Sequence, residues 1–333
     1  MTEDRFSRDL DDVRRRWVPD RRLGVFDVTI EGKALAGRTT SREALDHVRR
    51  LAADAGLRSD VRALPDVPAA ESHAIITAAL APLTREPVIA SERTSEALHG
   101  EVVTILECQE AWLRVRSEDG YVAWLHGGYA NVGPETWAAD WRDRASARAI
   151  GAVIQLDGVR TRLPAFARVA AGLDDAVEMA DGRRGSLVTG AIRSVMELGA
   201  EARLAQPHEL ALRWYAGAPY LWGGRTDWGI DCSGLVQNVW RSRGVELARD
   251  SDLQFAQGIE VATASDGSRY ESGDLLYFAS NGRVTHVAMW VGSGRVVHSA
   301  LSRGGVGIDS IYGDSPMARR LQRELVGVRR PQP

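Results

Sequence analysis

The sequence predicts an α+β, multidomain chain: a small N-terminal α/β domain, two small β-barrels and a C-terminal α+β domain. Three observations lead there. A chain of 333 residues exceeds one ordinary domain. Between about residues 82 and 196 the text breaks into short strands, with an Asp-Gly turn at 119–120 and again at 181–182. Beyond about 205 a helix carrying a cysteine is followed by strands carrying histidines.

Composition narrows the function classes. Hydrophobic residues make up 44% and charged residues 26%, enough apolar material for several cores. A formal net charge of −3 argues against a general nucleic-acid binder, which needs basic surface to displace counterions. No run of about 18 apolar residues reads as a membrane span, so no membrane partner is expected. The opening MTEDRFSRDLDDVRRRW lacks an apolar core and does not read as a secretory signal, so a cytoplasmic location is expected, or else a lost leader. Two cysteines cannot build a disulfide framework. No Cys or His spacing reads as a metal site, and no cofactor is expected.

In chain order, residues 1–80 form the α/β domain. Phe26, Val28 and Ile30 alternate in a strand ended by Glu31-Gly32. Thr40-Ser41-Arg42-Glu43 has helix-start spacing, and Gly56 suits the helix end. Residues 59–73 read as a linker or edge. Residues 81–135 hold the first barrel, with strands over 101–107, 111–117 and 121–125; residues 150–196 repeat its grammar. Cys108 reads as a core residue of a strand. Residues 203–333 hold the last domain. Leu235, Val236, Val239 and Trp240 share one helical face, and Gly244 suits its C-terminal cap. Strands follow over 274–280, 284–292, 295–301, 306–311 and 325–331.

Cys232 stands at the first turn of that helix, behind Asp231. A helix N-terminus favours the thiolate, so Cys232 is a candidate nucleophile. A nucleophilic thiol also needs a base and a group to orient it. His286 shares a strand face with Val284, Ala288 and Trp290; His298 shares one with Val296 and Ala300. A two-residue loop, Ser293-Gly294, pairs Gly292 with Arg295 and sends the histidines to opposite faces. A three-residue loop, 292–294, pairs Val291 with Arg295 and puts both on one face. A Cys–His–His site therefore predicts the three-residue loop.

PYLWGG (219–224), DCSG (231–234), RDSDLQ (249–254), SGDLLYF (272–278), THVAMWVG (285–292) and RVVHSA (295–300) together resemble the NlpC-type cell-wall cysteine peptidases. The likeness covers about the last 130 residues. With bacterial SH3-like domains upstream, the chain is similar to the γ-D-glutamyl-L-diamino-acid endopeptidases that act on murein peptides. The resemblance implies a papain-like fold, with Cys232 as nucleophile, His286 as base and then acid, and His298 as the residue that fixes the imidazole tautomer. It implies that Tyr220 helps hold the oxyanion and that Trp222 walls the cleft. Asp231, with Ser233 beside it, would hold the free amine of an N-terminal L-Ala; Asp250 and Ser251 would bind the γ-D-glutamate.

The subfamily's amine-pocket tyrosine has no counterpart that can be placed here. His99, in SEALHGE (95–101), is read in its position, with Glu96 as another candidate. The expected activity is hydrolysis of the γ-D-glutamyl to L-diamino-acid bond of a murein tripeptide or tetrapeptide with a free amine, in recycling. The alternatives are a secreted hydrolase of intact peptidoglycan and an inactive wall-peptide binding module.

Overall fold

The computed structural model describes residues 3–264 and 266–332. The chain divides into two compact units: residues up to Ile75 with Thr84–Glu92 and Val102–Asp140, and then Ile76–Leu83 with Arg93–Glu101 and Trp141 onward.

In the first unit, strands Phe26–Glu31 and Ala34–Thr39 pair as a hairpin, and Arg58–Ala63 pairs parallel to the second of them. The crossover is the helix Arg42–Asp54, capped by the Ser41 hydroxyl accepting from the Ala44 N–H. The first part of the stretch read as a linker or edge is thus the parallel edge strand of this three-stranded sheet. The charged opening forms a helix, Glu3–Trp17, whose Phe6, Leu10 and Val13 pack on Leu45 and Val48. Its apolar residues recur every three or four positions, a stripe that overall charge concealed. In a second sheet Ala130–Gly133, His73–Ile76, Val102–Gln109, Trp112–Arg116 and Val122–His126 lie side by side in that order. Cys108 faces solvent there, so it is not a core residue.

In the second unit, strands Ala147–Leu156, Arg168–Ala171, Ala176–Glu178 and Arg184–Ser194 pair in succession, and the last returns to the first. Closure removes the exposed edges of a small sheet. The two Asp-Gly turns are built alike: the Asp119 and Asp181 carboxylates accept from the N–H groups of Tyr121 and Arg183.

The C-terminal residues form an antiparallel sheet in the order Ile259–Val261, Leu325–Arg330, Leu275–Ser280, Arg283–Gly292, Arg295–Ala300, Gly305–Ser310. The strand period of two splits its side chains. Leu275, Tyr277, Val287, Met289 and Val297 pack against Leu235, Val236 and Val239 of the helix Cys232–Ser242. Leu276, Phe278, Ala288, Trp290 and Val296 pack on the other side with Leu321 of the helix Pro316–Glu324. No helix among the described residues is long and apolar enough to cross a membrane.

Candidate active site

Asp231 caps the helix Cys232–Ser242: its Oδ1 accepts from the Gly234 N–H at 2.7 Å and its Oδ2 from the Gly223 N–H at 3.0 Å. Gly234 lets the chain pass closely, since a Cβ there would lie 2.6 Å from the Gly224 carbonyl oxygen. The cap leaves Cys232 on the first turn, 6% exposed, its sulfur held by the backbone of Val287 and of Ser233. Val287 follows His286, so the thiol lies beside the strand that carries the candidate base.

The histidine hairpin differs from expectation. Its turn is the two-residue Ser293-Gly294, both with positive φ, and Gly292 pairs with Arg295. That loop alone would separate the histidines. A bulge at Val291 restores the register, so Trp290 faces Val296 and Met289 faces Val297. One extra residue in the strand does what one extra residue in the loop was expected to do. His286 Nε2 and His298 Nδ1 are 2.8 Å apart. A second bulge, at Thr285, turns Val284 away from the His286 face and into the other cluster. His298 reaches onward to Asp309 on the next strand, Nε2 to Oδ2 2.9 Å, and Asp309 Oδ1 accepts from Arg303 at 2.7 Å.

The charges around Cys232 reverse the expectation of a ready thiolate. Burial pushes the thiol up to about 12, and the adjacent Asp231 carboxylate adds to the rise; bonds from Val287 and Ser233 and the charge of Arg249 pull the other way without offsetting it. Burial likewise holds the His286 imidazole down, to about 3, with His298 and Arg320 acting in the same sense. Both shifts favour the uncharged forms of thiol and imidazole.

The amine-binding role read for Asp231 does not fit its surroundings. Arg249, fully buried, grips both carboxylate oxygens at 3.0 and 2.7 Å. Its remaining donors reach the Ser233 hydroxyl, the Ser95 hydroxyl and the Gly224 carbonyl. The Ser233 hydroxyl in turn donates to Asp231. Asp231 and Ser233 are therefore parts of an internal ionic cluster, and the carboxylate's charge is already matched. His99 is likewise structural. It is 1% exposed; Nδ1 lies 2.9 Å from the Thr77 carbonyl and Nε2 accepts from the Ala180 N–H, so burial lowers its pKa and no face is left for a substrate amine. Glu96 is buried too, accepting from Arg93 and from the Arg225 backbone, with its pKa raised by burial.

Asp250 does stand at the N-cap position of the helix Ser251–Phe255, but its side chain makes no capping bond. Asp250 is half-buried, and Ser251 opens that helix's first turn. Tyr220 is half-buried; burial, then Cys232 and Asp231, raise its pKa, so its hydroxyl keeps its proton. Trp222 is 57% exposed, as a cleft wall rather than a core residue would be.

Four residues were not singled out from sequence. Arg249 precedes the quoted Asp250. Asp309 sits in VGIDSI, where alternation alone shows that it shares a face with Gly307, the register partner of His298. Arg225, buried, and Glu101, half-buried, form an ion pair at 3.0 Å whose members lie far apart in the chain. Among the described residues no group of three or more His, Cys, Asp or Glu is arranged to hold a metal ion.

A cysteine at a helix N-terminus, packed on an antiparallel sheet that supplies a bonded histidine pair, defines a cysteine-peptidase type of α+β domain. Comparison with known proteins specifies which. Residues 217–326 match the NlpC/P60 family and residues 83–127 match the bacterial dipeptidyl-peptidase Sh3 domain, so the chain carries an NlpC/P60 domain preceded by such an Sh3 domain. It is similar to a γ-D-glutamyl-L-lysine dipeptidyl-peptidase of Bacillus cereus, 39% identical over 26% of this chain and 25% of that one. The enzyme of the same name from Bacillus subtilis is 32% identical over 35% of this chain and 37% of its own length. The first two relatives are thus matched over well under half their lengths. Dipeptidyl-peptidase 6 of Lysinibacillus sphaericus is 26% identical over 74% of this chain and 95% of its own. In fold, the crystal structure of an NlpC/P60 family protein from Bacillus cereus superposes with a TM-score of 0.65, at 20% identity, over 79% of this chain and 100% of that one.

Proposed function

We propose that the protein is a cysteine peptidase that hydrolyses the γ-D-glutamyl to L-diamino-acid bond of murein tripeptides or tetrapeptides bearing a free N-terminal L-Ala. The observation that carries this reading is the Cys232 thiol bonded by the backbone of Val287, the residue that follows His286 in the chain, with the His286 ring hydrogen-bonded to His298. The names of two matched relatives, both γ-D-glutamyl-L-lysine dipeptidyl-peptidases, support the substrate class.

The neutral resting pair sets the course of the reaction. Substrate closes over the thiol and the Cys232 Sγ–H turns to the His286 Nδ1. Sγ attacks the γ-carbonyl carbon as its proton passes to Nδ1, and the carbonyl electron pair moves to oxygen. The Tyr220 hydroxyl donates to that oxyanion. Collapse expels the diamino acid's amine, which takes the proton from His286 and leaves L-Ala-γ-D-Glu as a thioester on Cys232. Water, deprotonated by His286, then attacks the thioester, and the thiol regains its proton.

With Asp231 matched by Arg249, the acid assigned to the substrate ammonium is Asp250, and Ser251 serves the glutamate portion. A carboxylate suits an ammonium better than the free carboxylate of γ-D-glutamate. A site that demands a free amine acts on peptides already released from the wall, in recycling in the cytoplasm. The test is to supply L-Ala-γ-D-Glu-diaminopimelate, its lysine counterpart and the N-acetylated form of each, and to identify products by mass spectrometry. Release of L-Ala-γ-D-Glu from the free peptides alone supports the reading. Cleavage of both forms points instead to intact wall; binding without cleavage points to a binding module.

A further inference from the structure

The base side of the site ends in a carboxylate that the roles above leave unused. Asp309 lies on Gly305–Ser310, diagonal to His298 across a ladder in which His298 faces Gly307 and Val296 faces Asp309. His298 is 1% exposed and has ring contacts at both nitrogens, His286 on one side and Asp309 on the other. Asp309 is itself held by Arg303, whose guanidinium crosses the strand over Gly307. A Cβ at that position would lie 2.0 Å from Arg303 Nε. The charged groups around the pair are thus Asp309 and Arg303 on the His298 side and Arg320 on the His286 side.

Proton bookkeeping along this row has one solution for neutral rings. An ionised carboxylate only accepts, so His298 must carry its proton on Nε2 and donate it to Asp309. The His298 Nδ1 is then a lone pair. The 2.8 Å contact therefore requires His286 to donate from Nε2, which leaves the His286 Nδ1 bare. The opposite tautomer of His298 would point a proton at His286 Nε2, place the His286 proton on Nδ1 and remove the base.

We propose that Asp309 is a positioning residue that, through His298, fixes His286 in the tautomer whose Nδ1 can take the thiol proton. This rests on the peptidase reading for its consequence in rate, whereas the tautomer itself is independent of it. Once His286 is an imidazolium, the same row of bonds leads its charge toward the carboxylate.

The experiment uses the full chain as wild type, Asp309→Ala and Asp309→Asn. Each is assayed for kcat and KM on L-Ala-γ-D-Glu-diaminopimelate and, with 15N-labelled histidine, by long-range 1H–15N correlation of the imidazoles. Wild type is expected to show His286 protonated on Nε2 only. Asp309→Ala should lower kcat about 100-fold, at the low end of what a general base contributes, with KM nearly unchanged and a mixed His286 tautomer. Asp309→Asn keeps an acceptor oxygen for Nε2–H, so it should retain the wild-type tautomer and most of the rate; it also serves if the alanine variant fails to fold. A wild-type His286 protonated on Nδ1, or an Asp309→Ala enzyme within about twofold of wild-type kcat, would overturn the proposal. A wild type that shows the expected tautomer but cleaves nothing would sink the peptidase reading and leave the tautomer assignment standing.

Discussion

Around Cys232 the partners come from far along the chain: Arg249 binds Asp231, and its Nε reaches Ser95, 154 positions away. Around His286 they come from the next two strands, His298 at a separation of 12 and Asp309 a further 11. The nucleophile is set by a buried ionic cluster and the base by strand register. The first kind of surrounding buries the thiol and raises its pKa; the second aligns rings through a ladder that two bulges correct. One site therefore depends on two unlike devices, and different substitutions should break them separately.

The largest effect falls where the devices meet. Cys232→Ala should abolish turnover. His286→Ala should lower kcat by about 10²- to 10⁴-fold, the range of general-base contributions, in single-turnover assays.

Next comes the ionic cluster. Arg249→Met strands the buried Asp231 carboxylate and should cost about 3–5 kcal/mol of stability. Arg249→Met with Asp231→Asn should recover most of that loss, because no charge is left unpaired. Urea unfolding of the single and double variants checks this, and equal losses in both would deny the pair its role.

The base side has its own signature in pH. His286 is held near 3 when folded and has an ordinary value of about 6.5 when unfolded. Between those values the unfolded state binds the extra proton, so stability rises with pH. Wild type should lose at most about 1.4 kcal/mol per unit as pH falls below 6.5, relative to His286→Phe. Parallel pH profiles of the two proteins would contradict a neutral buried base.

Alkylation separates the two cysteines. Cys108 is exposed and Cys232 buried, with its thiol near 12, so iodoacetamide at neutral pH should label Cys108 first. Labelling of Cys232 should still be rising above pH 9, as peptide mapping would show. A plateau near pH 6 would mean a preformed thiolate–imidazolium pair. Smallest of all, Gly307→Ala should displace the flexible Arg303 side chain from Asp309 with only a few-fold change in kcat.

The same contrast explains what the amino-acid text disclosed. The helix Cys232–Ser242, its Asp231 cap and the shared face of His286 and His298 follow from local rules: spacing, capping and alternation. The three-residue loop did not hold, because a one-residue correction can sit in the strand as easily as in the turn, and alternation sees only the sum. Asp231 and His99 misled for another reason. Sequence shows an acid or an imidazole near a cleft, but not that Arg249 or the Thr77 carbonyl has already satisfied it. The neutral state of Cys232 was hidden likewise, since helix position is local and burial is not. Cys108 shows the converse: a strand position gives the period, not which face is covered.

The proposed mechanism requires Cys232 to form a thioester with L-Ala-γ-D-Glu. The most direct measurement is the intact mass of the protein acid-quenched within milliseconds of mixing with excess L-Ala-γ-D-Glu-diaminopimelate, followed by peptide mapping. A transient adduct of the L-Ala-γ-D-Glu acyl group should appear on the Cys232 peptide, be lost on longer incubation and be absent from Cys232→Ala. Product release with no adduct at any time, and with Cys232→Ala still turning over, would contradict it.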